Sequence, residues 1–199
     1  MAGTRGGEII EVQKGTSAQV VMDGHFDKEL WGLAVSKNKS EFFTGGQDKL
    51  LIKWDADKRR IINKKKMEGP ISCLDLSSQN VLAVGLRNGV ANLVDGQTLS
   101  SKLKIANHKN PDKDVLSAIK FSPDGTQLAI GYCPPVSQVY LYDVGGPKAK
   151  KLGSCKGSST RIVTIDFSTS GDSLLSTSIE PLFYKTPGCG RAYVTAIKG

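Results

Sequence analysis

Long apolar runs are missing from this chain of 199 residues. No stretch approaches the ~20 continuous apolar residues of a membrane-spanning helix, and the opening MAGTRGGEIIEV has no signal-peptide core. Aromatic residues make up only 7%, and there are two histidines, His25 and His108. The four cysteines, Cys73, Cys133, Cys155 and Cys189, lie 60, 22 and 34 residues apart with no CxxC pair. That is too sparse for a zinc site and too irregular for a disulfide framework, so all four are predicted to be reduced, in a cytosolic compartment. The sequence contains no P-loop, GxSxG or HExxH motif, and two histidines leave little general-base capacity. An enzyme is therefore not expected, nor is a cofactor or a metal. With only 8 prolines and no repetitive tract, a collagen-like or disordered chain is excluded as well.

Glycine and basic charge are plentiful. The 22 glycines point to many tight turns. The net charge of +8 is concentrated: residues 58–66 (KRRIINKKK) hold six cations and no acid, and 148–156 (KAKKLGSCK) hold four more. Such surface favours acidic partners. The plainer reading is that lysine on an exposed strand blocks edge-to-edge pairing.

Internal repetition decides the fold class. GGQDKLLIKWD at 45–55 matches GLRNGVANLVD at 85–95, and a third copy ends in VYLYD at 139–143. Upstream of each lies LAVS at 33–36, LDLS at 74–77 and IKFS at 119–122, with IDFS at 165–168 opening a fourth unit. Each unit alternates with a period of two, turns at Gly- or Asp-containing tetrads, and continues into a lysine-rich strand at 59–64, 101–105 or 149–153. Four strands per unit of about forty residues is the arithmetic of a propeller blade. An all-β protein is expected.

Gly24-His25, Asp48 and Trp54-Asp55 carry a resemblance to the WD-repeat family: His25 precedes Trp54 by 29 residues and Asp48 precedes it by six. The resemblance implies a structural network in which His25, Thr44, Asp48 and Trp54 hydrogen-bond across strands. The competing reading, half of a catalytic dyad at His25 and Asp48, is less favoured. The set is complete only in the first unit; Val94, Tyr142 and Tyr184 stand at the Trp position later.

GHFDKELWGLAVS at 24–36, FFTGGQDKLLIKWD at 42–55, VLAVGLRNGVANLVD, VLSAIKFSPDGTQLAIG and SSTRIVTIDFS narrow this further. Together they resemble the echinoderm microtubule-associated protein-like family, with GTRGGEIIEV at 3–12 similar to the end of a preceding blade. The fourth unit departs, reading STSIEPLFYKTPGC where the family has a Gly-Asp-Tyr hairpin and a Trp-Asp ending. The implied architecture is a partial WD-repeat β-propeller over residues 1–199: a half-blade at 3–22, then blades at 24–66, 67–106, 112–154 and 158–198. An arc of about four blades leaves apolar faces that further blades, from the same or another chain, would cover.

The resemblance implies a non-enzymatic, microtubule-associated scaffold in the cytoplasm and cytoskeleton, extending to the ciliary or flagellar axoneme. Tubulin and other axonemal or cytoskeletal proteins are the expected partners. The outermost strands would then carry a basic rim for acidic tubulin: Arg59, Arg60, Lys64, Lys65, Lys66, Lys102, Lys104, Lys148, Lys150 and Lys151. The alternative is a general WD-repeat adaptor, which would present an aromatic or Arg-lined central opening instead. Nucleic acid is not expected, because no aromatics interleave the basic run. Nor is a membrane, because no amphipathic or lipidated element accompanies it.

Overall fold

The computed structural model describes residues 1–3, 9–12, 15, 18–25, 28–106, 115–186 and 190–191. Among them every regular element is a strand. A three-stranded sheet comprises β1 (Ala2–Gly3), β2 (Ile9–Glu11) and β3 (Gln19–Met22). The first four-stranded sheet follows with β4 (Leu30–Val35), β5 (Glu41–Gly46), β6 (Leu50–Asp55) and β7 (Arg60–Lys66). The second holds β8 (Ile71–Leu76), β9 (Val81–Leu86), β10 (Val90–Asp95) and β11 (Ser101–Ala106). The third holds β12 (Leu116–Phe121), β13 (Gln127–Tyr132), β14 (Val139–Asp143) and β15 (Lys150–Cys155). The fourth holds β16 (Thr164–Phe167), β17 (Ser173–Thr177), β18 (Pro181–Lys185) and β19 (Gly190–Arg191). Each is an antiparallel meander in chain order, so the protein is an open β-propeller of four four-stranded blades and one three-stranded sheet.

The recurring residues have local jobs. Serine at the end of the first strand turns the chain: Ser77, Ser122 and Ser168 each accept, at Oγ, the amide of the residue opening the next strand. Aspartate at the end of the third strand caps the next turn, Asp55 Oδ1 accepting the Asp57 and Lys58 amides and Asp95 Oδ1 those of Gln97 and Thr98. Register shifts recur at equivalent places, at Leu30/Gly32, Ile71/Cys73 and Leu116/Ala118 in the first strands. These bulges strengthen the twist that fans the blades.

Alternate residues of each sheet enter different cores. One core joins Phe43 and Leu51 of the first blade to Ile71, Leu74 and Leu82 of the second. Another joins Ala83, Ala91 and Leu93 to Leu116, Ile119 and Phe121, and a third joins Ala129 and Leu141 to Ile162, Ile165 and Leu174. The first strands make the principal contacts between sheets, β4 with β8, β8 with β12 and β12 with β16. They therefore converge on the axis, and the lysine-rich fourth strands β7, β11 and β15 lie outermost. Glycine permits the approach. A Cβ at Gly45 would stand 2.6 Å from Ile71 Cγ2, one at Gly85 2.7 Å from Leu116 Cδ2, and one at Gly131 2.8 Å from Ile162 Cγ2.

Leu33 and Val35 of β4 are 63% and 62% exposed, whereas Leu74, Ile119 and Ile165 at the position of Leu33 are buried.

One expectation is corrected. Cys155 is disulfide-bonded, while Cys73 and Cys133 are free; Cys189 lies outside the described residues, as do 192–198 of the last expected blade. Spacing along the chain does not reveal which cysteines the fold brings together, so the sequence count missed the bridge. Cysteine state thus no longer supports a reducing compartment.

Candidate docking surfaces

In each meander the links between blades and the turns from second to third strand fall at one end of the propeller, here termed the joining end. The remaining turns fall at the opposite end. His25 enters at the joining end, just before β4. Its Nδ1 lies 2.8 Å from Asp48 Oδ2, and its Nε2 lies 2.8 Å from Thr44 Oγ1. Trp54 Nε1 donates to the same Thr44 oxygen at 2.7 Å, and Asp48 Oδ1 accepts the Leu50 amide at 2.9 Å. The indole can only donate. Every group is satisfied when the Thr44 hydroxyl donates to Nε2 and Nδ1–H donates to Asp48. The His25 and Asp48 side chains are only 11% and 3% exposed. The arrangement ties the incoming segment, a turn and two strands into one lock, with every nucleophilic oxygen already occupied.

The ten rim cations divide sharply. Lys64 pairs with Asp23, whose carboxyl burial would raise; the Lys64 bond and the Gly24 amide outweigh burial and hold it below its ordinary pKa. Lys65 Nζ donates to the Leu99 carbonyl at 2.7 Å and to Ser101 Oγ at 2.9 Å. Lys102 pairs with Asp95 at 2.9 Å, and together with the Thr98 and Gln97 amides holds that carboxyl well below the usual range. Lys104 pairs with Glu68 at 2.8 Å, and Lys151 Nζ sits 3.6 Å from the Tyr140 ring centroid. Arg59, Arg60, Lys66, Lys148 and Lys150 are exposed and have no ion pair among the described residues.

These cations do not form a continuous belt. Lys65 and Lys66 of β7 and Lys102 and Lys104 of β11 line one open cavity of about 350 Å3 between the first two blades. Met67, Glu68, Asn92, Ser101 and Leu103 complete its wall, so four lysines and one glutamate are among its lining residues. Arg59 and Arg60 at the start of β7, and Lys148 and Lys150 at the start of β15, remain separate pairs at the opposite end.

The axis carries groups that the sequence reading missed. Lys120 on β12 lies 3.6 Å from Asp75 on β8 and 4.0 Å from Asp166 on β16. Burial raises the Asp75 carboxyl above its usual pKa, against the Phe121 amide, which it accepts at 2.7 Å, and against Lys120. With Lys37 these residues line a second cavity, of about 380 Å3, at the opposite end. The signal was present: LDLS, IKFS and IDFS place Asp, Lys and Asp in one repeat column. At the joining end, Trp31 of β4 faces Arg161 from the fourth blade across the axis, with Cζ 5.9 Å from the ring. Among the described residues no cluster of His, Cys, Asp and Glu could hold a metal, and no helix is long and apolar enough to cross a membrane.

Residues 30–196 match the model of the echinoderm microtubule-associated protein second β-propeller. The chain belongs to the echinoderm microtubule-associated protein-like family. It is 32% identical over 190 residues to echinoderm microtubule-associated protein-like 2 of Homo sapiens, covering 94% of this chain and 28% of that protein. It is 34% identical over 172 residues to the human echinoderm microtubule-associated protein-like 1, covering 85% and 20%. The chain thus spans about a quarter of the length of these relatives or less. Among solved structures, the Cps50 (Swd1) β-propeller domain of Myceliophteria thermophila superposes with a TM-score of 0.67 at 18% identity. That match covers 93% of this chain and 60% of the other, a likeness of fold alone.

Proposed function

We propose that this chain is a non-enzymatic scaffold segment that docks tubulin or the microtubule lattice through its rim. Four lysines gathered around one cavity at the junction of the first two blades are the observation that carries the reading. The ion pair of Lys104 with Glu68 is exposed on both sides, at 54% and 43%, and exposed pairs of this kind hold by about 1 kcal/mol or less. An incoming carboxylate can replace Glu68 at little cost, and Lys66 has no ion pair among the described residues to give up. Arg59, Arg60, Lys148 and Lys150 supply secondary contacts. Affinity resting on such charges falls as salt rises, with a Debye length of about 8 Å at physiological ionic strength. Co-sedimentation with microtubules of a variant carrying Lys66→Glu and Lys104→Glu tests the reading. The expected setting is the cytoplasmic cytoskeleton, including the ciliary or flagellar axoneme.

The chain is read as an arc of a larger ring. Gly3 pairs with Ile9 as Gly45 pairs with Leu51, Gly85 with Ala91 and Gly131 with Val139. The three-stranded sheet therefore carries the glycine that every described junction uses, and its completed blade would seat on the exposed face of β4. At the far end Thr177 takes this glycine position, so the fourth blade does not repeat the same close approach. The adaptor reading is favoured by a separate observation, the pairing of Trp31 with Arg161 at the axis.

A further inference from the structure

We propose that the cavity between the rims of the first two blades binds a small ligand carrying several phosphates and hydroxyls, of the inositol-phosphate class, on Asn92 and the surrounding lysines. Asn92 of β10 lines this cavity, is only 8% exposed, and its side-chain amide has no hydrogen-bond partner among the described residues. Alternate residues of a strand share a face. Val90 and Val94 of β10 belong to the core shared with the first blade, so Asn92 is turned the same way, toward that blade. The register supplies its counterparts. Asn92 pairs with Val84 and Lys104, as Ile52 pairs with Thr44 and Lys64, and Tyr140 with Ile130 and Ser154. In the fourth blade this position is Leu182, opposite Ser176. The other blades thus set hydrocarbon or an aromatic ring where the second sets an amide. A buried amide without a partner costs stability, and this one lies where a ligand can satisfy it.

The lining sets the chemistry of the occupant. Glu68 pairs with Lys104, and Asp95 pairs with Lys102, so four lining lysines stand against two carboxylates and two cations remain in excess. Those two are Lys65, bound to the neutral oxygens of Leu99 and Ser101, and Lys66, exposed and without an ion pair among the described residues. An ammonium group holds phosphate as a point charge with three rotatable donors. The Asn92 amide both donates and accepts: its NH2 suits a phosphate oxygen, and its carbonyl suits a ligand hydroxyl. Ser101 Oγ accepts from Lys65 and keeps its own hydrogen to donate. The volume of about 350 Å3 falls within the range of small-molecule sites. No aromatic side chain lines the cavity, so no platform for a nucleobase is present among the described residues.

The proposal uses the cavity of the rim reading but not its partner. Its test contains no tubulin, so the two readings fail separately. Isothermal titration calorimetry of the whole chain with inositol trisphosphate at low salt is expected to show binding, and citrate, with carboxylates and a hydroxyl but no phosphate, about tenfold or more weaker binding. Asn92→Leu restores the hydrocarbon of the other blades and should weaken the trisphosphate about tenfold, the loss of hydrogen bonds to a charged group. Asn92→Ala should do the same without added bulk. Lys66→Glu with Lys104→Glu should reduce affinity further, and circular dichroism checks that each variant keeps its fold. Flotation with phosphatidylcholine vesicles containing phosphatidylinositol bisphosphate separates the sources. Capture on the vesicles assigns a lipid headgroup, and binding of the trisphosphate alone assigns a soluble ligand. The proposal is overturned by absent trisphosphate binding, by equal binding of citrate, or by affinity within about twofold of the parent in the folded Asn92 variants or in the lysine variant.

Discussion

The first and third blades reach one geometry by different chemistry. At equivalent register positions the first has Thr44, Lys53 and Trp54 where the third has Ile130, Leu141 and Tyr142. Around Thr44 and Trp54 the first blade adds His25 and Asp48 in a closed chain of hydrogen bonds. Lys53 is fully buried, its Nζ 5.9 Å from the centre of the Phe43 ring and 3.1 Å from Glu41 Oε2, an ion pair whose angles miss hydrogen-bond geometry. In the third blade Ile130 and Leu141 are fully buried and Tyr142 nearly so. Polar locks therefore supplement the fold in the first blade, and hydrocarbon burial suffices in the third. A buried polar set fixes register but fails when one member is lost; an apolar set degrades gradually.

The largest effect should come from breaking what the two blades share. Gly45→Val and Gly131→Val each drive a branched side chain into an isoleucine of the next blade, Ile71 or Ile162. Each is expected to cost about 3 kcal/mol, the upper end for overpacking, read from urea denaturation. Unequal costs would show that the junctions differ after all. The next effect separates the blades. Thr44→Val keeps the shape but strands the Trp54 indole N–H and His25 Nε2, an expected loss of about 2 kcal/mol. The matching change in the third blade, Ile130→Val, removes one methylene and should cost about 1 kcal/mol. Equal values would mean that the polar lock contributes nothing of its own.

The smallest effect concerns the rim. Asp95 has a depressed pKa in the fold, so its contribution is present above its unfolded pKa of about 4 and is lost as pH falls through the folded value. Asp95→Asn keeps the turn cap and removes the charge facing Lys102. Its stability should fall less steeply than the parent's below about pH 4, by under about 1 kcal/mol as expected for a surface pair. Identical acid limbs in the two proteins would remove Asp95 from the account.

The all-β propeller was legible because the repeat of about forty residues and the alternation of two are properties of adjacent residues. What brings residues together around the ring was not. That Lys66 and Lys104 line one cavity depends on how β7 and β11 lie at neighbouring rims. The meeting of Trp31 and Arg161 depends on the curvature of four blades, which no local pattern encodes. The axial column of Asp75, Lys120 and Asp166 was readable, since opposite charges recur at one repeat position; the lysine runs drew attention outward instead.

Microtubule co-sedimentation of the Lys66→Glu, Lys104→Glu variant against the parent, across a salt series, bears most directly on the rim account. The parent should pellet at low salt and be released as salt rises, with the variant bound at least about tenfold more weakly, the equivalent of about 1.4 kcal/mol. Pelleting of the variant equal to the parent at low salt, with the fold intact, would contradict it.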